Sequence, residues 1–597
     1  MREPFQNFFK TGKNVLWLYK PFWRYEKLFV VLSLFFWAVL VPLAQYVGVY
    51  LPSTIVNLLQ EKASFNVIII TVIGMQLFIM MQPMYENFFI VFSKSKALVR
   101  IDGRLRQDTY EKAKKTDYRY IDDPDYYDNY SFAVSEYGNK AREAHDLVNR
   151  IAASLVTIIS MLTVIGSLSP LCVIAVVIGT TVEHIFYITG NYYDVKKDEA
   201  VVPHDRKMNY IHRIFYMGQY AADVKSTKLQ EYLLRDHSDT VNGKLDVTYN
   251  FWKKILSWNL GGTLSYYFVR SFVILNIAHG IWVGDIPSVA SYITIMNAVA
   301  ALSDALNEMF YHVKSANKLG MYATRIRSFF EVESKIEQDN TKSQPVPVGP
   351  FSVEFDHVQF QYENSDFRIQ NLNLSIRPGE RVAIVGENGV GKSTMVKLLM
   401  RFYDVTGGSI RIDGHDLRDY KLAELRQKIG VAFQNPNVYA LSFKDNIGLY
   451  GEIEPMKLEQ IIQKTGLNKV LEKNHADIST IVTKEFDENG IMLSGGEVQK
   501  IGIARLLTGE FGLLLFDEPS AALDPLAEYE MTKLILDSSN LATTIIIAHR
   551  LSSIRHVDRI ILVDDGSVCE MGTHDELMAQ KGKYYEMFTK QAENYKE

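Results

Sequence analysis

The chain has 597 residues, 47% of them hydrophobic, and its 64 Lys and Arg against 69 Asp and Glu give a net charge of −5. That length accommodates two or more domains with a sizeable core, and the charge balance gives no reason to expect nucleic-acid binding, which needs a basic face. Its two cysteines, Cys172 in an apolar run and Cys569 in the polar half, exclude a disulfide framework.

The N-terminus sets Lys10, Lys13, Lys20, Arg24 and Lys27 among Phe5, Phe8, Phe9, Trp17, Phe22 and Trp23. This predicts a basic, aromatic interfacial segment rather than a cleaved signal, because the apolar stretch behind it is too long for one. A bilayer core requires about twenty apolar residues per helix. Six stretches qualify, at 28–52, 67–92, 147–168, 171–193, 258–281 and 286–311. Ser167 to Pro170 join the third to the fourth, and a turn around Gly284, Asp285 and Pro287 joins the fifth to the sixth. These short turns carry few cations, whereas the connections 93–146 and 194–257 hold many, among them Arg100, Arg104, Arg106 and Lys112. The positive-inside rule therefore predicts that both long connections, both termini and the polar half lie in the cytoplasm.

Both connections are rich in helix formers and are read as helices continuing past the membrane. Each has a Tyr-rich break, at Tyr118–Tyr130 and around Tyr216–Ala222; Pro124 supports a reversal in the first, since proline cannot continue a helix and biases the residue before it. Glu331–Pro350 loses periodicity and gains Pro, Ser and charge, which marks a linker. From Phe351, short β-branched runs alternate with helical patterns, as in an α/β domain. The predicted layout is a membrane domain over 1–330, a linker over 331–350 and an α/β domain over 351–597.

The ATPase prediction rests on a P-loop, Gly386, Glu387, Asn388, Gly389, Val390, Gly391, Lys392, Ser393 and Thr394, between a strand-like run and a helical one. Its glycines let successive N–H groups face phosphate oxygens at a helix N-terminus; Lys392 would reach the β and γ phosphates and Ser393 would donate its oxygen to Mg²⁺. Leu513–Phe516 reads as a buried strand ending in Asp517, a Mg²⁺ ligand, and Glu518, which would accept a proton from the water attacking ATP.

Between them lies Leu493, Ser494, Gly495, Gly496, Glu497. These three elements in this order resemble the ATPase cassette of ABC transporters. The resemblance implies that Gln434 sits near Mg²⁺ and the attacking water, that His549 contacts the γ-phosphate, and that Tyr362, with Phe360 as the alternative, stacks on adenine. It makes Ser520–Asp524 a loop that communicates between sites, Glu485–Gly490 an exporter-type loop with Glu488 as its acid, and the two Tyr-rich breaks coupling helices. It implies that Ser494, Gly495 and Gly496 complete ATP held by a second half-transporter. Intact motifs favour a homodimer over a heterodimer, and glutamate in place of the commoner glutamine at 497 is a mild departure.

The implied fold is an α-helical six-helix transmembrane domain of the ABC exporter type, its fourth and fifth helices swapped between subunits, plus an α/β P-loop ATPase domain. The implied function is ATP-driven export of a peptide or amphipathic small molecule across a bacterial cytoplasmic membrane. A lipid flippase is the nearest alternative, and a gated channel or sensor on the same scaffold a further one. Ionisable groups within apolar runs usually face an interior or a cavity; these are Glu86, Glu183, His184, Arg270, Asp304 and Glu308. Glu183 and Arg270 are expected to pair or to line the translocation cavity. The first helix leaves no room before it for a leader-cleaving peptidase, so peptide cargo would be matured elsewhere.

Overall fold

The computed structural model describes residues 2–283, 289–336, 344–363, 367–519, 525–538 and 542–593. The predicted turn at Gly284–Pro287, part of the linker and the loop Ser520–Asp524 lie outside them. The chain divides into two compact units, one of residues 1–111 and 128–331, the other of residues 112–127 and 332–597.

The first unit is helical. Five helical stretches, Lys27–Gln60, Phe65–Lys114, Asp125–Leu168, Pro170–Tyr216 and Val289–Glu331, are long and apolar enough to cross a membrane. The predicted span 258–281 lies in a sixth helix, Leu229–Val283, but Arg270, Asn276 and His279 keep that helix from matching the other five in composition. It packs along Pro170–Tyr216, where small residues allow close approach: a Cβ on Gly179 would lie 2.0 Å from Val269, and one on Gly261 2.5 Å from Phe186. The 47 residues of Pro170–Tyr216 span ~70 Å at about 1.5 Å each, more than twice a bilayer core of about 30 Å. The long connections are therefore continuations of the membrane helices.

Phe36–Leu40 forms one π turn just before Pro42, which has no N–H for the ordinary helical bond to Ala38. The N-terminal helix Arg2–Tyr25 is less peripheral than its composition predicts. Val15, Leu18 and Phe22 are buried, Asn14 bonds Gly320 and Thr324, and Trp17 stacks on Tyr137 at 5.5 Å. The second Tyr-rich break is a 3-10 turn, Gly218–Tyr220, and a short helix, Ala221–Ser226, packed through Tyr220 and Val224 against Ile211, Ile214 and Leu233.

In the second unit the described strands are, in chain order, β1 (Val353–Gln361), β2 (Arg368–Ile376), β3 (Arg381–Val385), β4 (Gly407–Ile412), β5 (His415–Asp416), β6 (Ile429–Ala432), β7 (Leu513–Asp517), β8 (Thr543–Ile547), β9 (Arg559–Asp564) and β10 (Ser567–Gly572). An antiparallel sheet has the order β2-β1-β4-β5, and a larger one β10-β9-β3-β8-β7-β6, parallel from β9 to β6. β6, β7 and β8 are buried at every position, as expected of parallel strands covered on both faces. Ile384, Leu515 and Ile545 face one core, while Ala383, Phe516 and Ile546 face the other.

Residues 112–127 join this second unit although the sequence places them inside a membrane-domain connection. Tyr118 stacks on Phe402 at 4.5 Å, Lys397 lies 3.5 Å from Asp122, and the Tyr403 hydroxyl donates to Asp122. The buried Asp117 carboxylate accepts from the backbone N–H groups of Lys335 and Ile336, while the Ser334 hydroxyl accepts from the Asp117 N–H. The start of the predicted linker is thus fixed. Both cysteines are free, Cys172 buried and Cys569 exposed.

Candidate nucleotide-hydrolysis site

The P-loop, Gln434, Asp517, Glu518 and His549 leave the C-terminal ends of four neighbouring parallel strands. The P-loop follows β3, His549 lies beyond β8, Asp517 and Glu518 end β7, and Gln434 lies beyond β6. Chain order is β3, β6, β7, β8, whereas sheet order is β3-β8-β7-β6. The crossovers bring His549 beside the P-loop and Gln434 beside Glu518. Open parallel sheets bind ligands along this edge.

Gly391 begins the helix Lys392–Leu399 at φ 103°, and a Cβ there would lie 2.8 Å from the Phe367 ring. Only glycine satisfies both the left-handed backbone and the close approach. Lys392 is buried and donates to the carbonyls of Gly386 at 2.9 Å and Glu387 at 2.8 Å, so its ammonium lies inside the loop. Burial lowers its pKa, against the opposing pull of Glu518 and Asp517. The Ser393 hydroxyl donates to Asp517 at 3.0 Å. Burial raises the Asp517 pKa and neighbouring Glu518 adds to it, against the Ser393 hydrogen bond. A buried carboxylate and a hydroxyl in contact, next to a second carboxylate, form an oxygen donor set suited to Mg²⁺.

Glu518 is held from two sides. Gln434 donates its amide to one carboxylate oxygen at 2.6 Å, and His549 Nε2 contacts the other. Its backbone is left-handed at φ 50°, uncommon for a residue with a Cβ, and its N–H donates to the Ile547 carbonyl. A cavity of about 190 Å³ opens beside Glu518 and His549.

Tyr362 is half-buried; its hydroxyl lies 3.1 Å from that of Thr394, and its ring meets Tyr403 edge-on at 5.2 Å. Phe360, the alternative for adenine stacking, is 4% exposed and belongs to the core. Ser494 and Gly495 are exposed at the start of the helix Gly495–Leu506. Glu497 serves there as the acid of a capping box, accepting from the Ser494 N–H at 2.7 Å. Burial would raise its pKa, but the hydrogen bonds from Ser494 together with Lys473 and Lys500 outweigh that and hold it below the ordinary value. Among the described residues, no hydrogen bond or ion pair joins Ser494–Gly496 to the P-loop of the same chain. Glu488 lies on an exposed loop, bounded by Thr483 at φ 76°.

Three groups around the site have no motif. Gln591, on the helix Lys583–Glu593, donates to the His549 carbonyl at 2.7 Å and accepts from the Leu551 N–H at 3.0 Å, which fixes the backbone of the histidine loop. Lys583 reaches Asp564 at 2.7 Å and Glu387 of the P-loop at 3.4 Å. Lys397 lies over the rings of Tyr362, Tyr118 and Tyr403. Lone polar residues on amphipathic helices give no sequence signal for such contacts.

A phosphate-type loop and an acidic strand end thus share one edge of this sheet, with a second glycine-rich helix start outside it. Residues 369–521 match the ABC transporter family model. The chain is homologous to ABC exporters and has the architecture of a half-transporter, a multi-pass membrane protein whose ATPase domain binds ATP. It is 26% identical over 557 residues to the subtilin transport ATP-binding protein of Bacillus subtilis, covering 92% of this chain and 89% of that protein. Over 323 residues it is 34% identical to the ATP-dependent lipid A-core flippase of Salmonella typhimurium, a match spanning 52% of this chain and about half (54%) of the flippase. A solved bacterial Atm1-family ABC exporter with ATP bound shares the fold, with a TM-score of 0.75, 22% identity and coverage of 94% and 98%.

Proposed function

We propose that two copies of this chain form an exporter that couples ATP hydrolysis to movement of a peptide or amphipathic molecule out of the cytoplasm of a bacterium. The observation that carries the reading is the convergence of Lys392, Ser393, Asp517, Glu518, Gln434 and His549 on one sheet edge. The P-loop N–H groups and Lys392 bind the phosphates, and Tyr362 faces the adenine. Ser393, Asp517 and Gln434 are the groups that would hold Mg²⁺, which when bound neutralises charge on the transferred phosphoryl group.

Glu518 accepts the proton of the attacking water. Its carboxylate is aimed by the Gln434 amide on one oxygen and His549 on the other, so the base is positioned before ATP arrives. Gln591 holds His549 in register through the backbone. Ser494 and Gly495, exposed at a helix start, cap the γ-phosphate bound by the other subunit.

Closure of the paired ATPase domains reaches the membrane helices through residues 112–127, seated on Phe402, Tyr403 and Lys397 directly beyond the P-loop helix. ATP favours the closed pair through its differential contacts, and hydrolysis releases it. The subtilin relative, matched over most of both chains, favours a peptide cargo over a lipid one. The test is ATP-dependent uptake of amphipathic peptides and of labelled lipids into inside-out proteoliposomes. Uptake that persists in Glu518→Gln would overturn the pump reading in favour of a channel. Lipid but no peptide uptake would establish the flippase.

A further inference from the structure

The membrane unit contains a cavity of about 280 Å³ between the first, third and last of its apolar helices. Asn297, Asp304 and Glu308, spaced along one stripe of the last helix, face Arg150, Ser154 and Thr157, spaced along one stripe of the third. Trp37, Val41, Gln45 and Val49 of the first helix complete the wall. The cavity thus has an apolar side and a charged side.

The charged side is unbalanced. Two carboxylates oppose one guanidinium, and that guanidinium lies over the Trp37 ring at 5.2 Å. Among the described residues no base lies within 4.0 Å of Asp304 or Glu308. The Thr157 hydroxyl is engaged with Gln45 at 2.9 Å. Ser154 is not engaged: it is 2% exposed, lines the cavity, and its hydroxyl has no hydrogen-bond partner. Acids in membrane helices are retained where a counter-charge or a hydrated pathway meets them, and a buried hydroxyl without a partner is costly. Both deficits are of the kind a bound ammonium or guanidinium would fill, since it supplies positive charge and donors while its apolar stem lies against Trp37 and the valines.

We propose that this cavity is the recognition site for a cationic group of an amphipathic cargo, with Asp304 and Glu308 as its counter-charges, Ser154 as an acceptor and Arg150 as the group that limits affinity and rejects a second cation. The volume fits one side chain or head group rather than a whole peptide, so each half of the transporter would hold one cationic group. The inference rests on the exporter reading for its biological meaning, and on the cavity alone for its chemistry. It uses other residues than the expectation that Glu183 and Arg270 pair or line the translocation cavity. Those two residues line a separate, smaller cavity, and among the described residues no ion pair within 4.0 Å joins them; Arg270 instead bonds the Tyr266 hydroxyl.

The experiment uses the full chain in nanodiscs of zwitterionic lipid without nucleotide, and a fluorescent amphipathic peptide of leucines and lysines beside the same peptide with its lysines acetylated. Empty nanodiscs supply the background. The wild type is expected to bind the lysine form at least about tenfold more tightly than the acetylated form, the scale of one charge-assisted contact. Asp304→Asn and Glu308→Gln should each weaken the lysine form about tenfold and leave the acetylated form unchanged, whereas Arg150→Gln should tighten it. Opposite signs from variants on facing helices separate a charge effect from general damage. Equal binding of the two peptides by the wild type, indifference to both acid substitutions, or weaker binding by Arg150→Gln would overturn the proposal. ATP-dependent uptake of both peptides alike would also overturn it while leaving the exporter reading intact. Charge-selective binding without ATP-dependent uptake would support the cavity and refute the exporter.

Discussion

Two helix starts in the ATPase unit have similar chemistry and opposite surroundings. The helix after Gly391 begins against the sheet edge, with Lys392 folded back onto the loop carbonyls and Ser393 on Asp517. The helix after Ser494 begins at the surface, its first turn closed only by its own capping box with Glu497. Glycines and a helix N-terminus suit both to an anion, but the first has a buried lysine, Lys392, and the pair Asp517 and Glu518 with His549 beside it, whereas the carboxylate of the second, Glu497, is engaged in its own capping box. A helix start with phosphate-type chemistry gains the groups that hydrolysis needs only where strand ends bring charge to it. The second start is complete as a structure and incomplete as a site, which is the physical argument for a composite site across two subunits.

The largest effect is expected from disabling the first start while the second is left whole. Glu518→Gln should lower ATP turnover by about 10²–10⁴-fold with nucleotide binding retained, the usual scale for a lost general base; steady-state hydrolysis and labelled-nucleotide binding measure the two. Loss of binding together with turnover would mean that Glu518 is structural.

Mixed dimers ask which chain's ATP the second start serves. One chain carrying Lys392→Ala and the other Ser494→Ala should keep about half the wild-type turnover if Ser494 serves the partner's ATP, because one composite site stays whole. Near-complete loss of turnover would place both residues in one site within each chain.

A smaller, several-fold effect is expected at the seat of residues 112–127. Asp122→Asn removes the charge facing Lys397 and weakens the bond to Tyr403, so cargo-stimulated hydrolysis should fall while basal hydrolysis persists. Equal loss of both would make this contact a stabilising one only.

The smallest effect belongs to the second helix start. Glu497→Ala should cost about 1 kcal/mol of stability, the usual value of a helix cap, read as a lower thermal midpoint. Because the Glu497 pKa is depressed in the folded protein, its contribution is present above the ordinary carboxylate range and is lost as pH falls through the folded value. The gap between wild type and Glu497→Gln should therefore close on acidification. A pH-independent gap would exclude the charge as its source.

The ATPase half was legible because its chemistry is local. Gly386–Thr394, Ser494–Gly496 and the strand ending at Asp517 each place function within a few consecutive residues. Gln434 and His549 were legible only through a resemblance that orders motifs along the chain. Phe360 shows the limit, since two aromatics two positions apart have the same strand parity; Phe360 lies inside β1 and is core, Tyr362 lies one residue past its end and is half-buried, and where the strand stops decides which. The membrane half was legible as apolar lengths and charge asymmetry, yet its balance of charges was not. Asp304, Glu308 and Arg150 come from helices far apart in sequence, and no periodicity announces that they share a cavity.

An apolar helical half, a P-loop half and the residue types proposed to bind phosphate and activate water could be read from the chain alone, because periodicity and short motifs are properties of neighbouring residues. Tertiary structure alone decided the rest. Crossovers in the β10-β9-β3-β8-β7-β6 sheet put His549 and Gln434 on either side of Glu518. Asp117, Tyr118 and Asp122 joined the ATPase unit through contacts more than two hundred residues away along the chain. The physical reason is the same in both cases: hydrogen bonds, ring stacking and charge act over a few ångströms in space, whatever the distance along the chain.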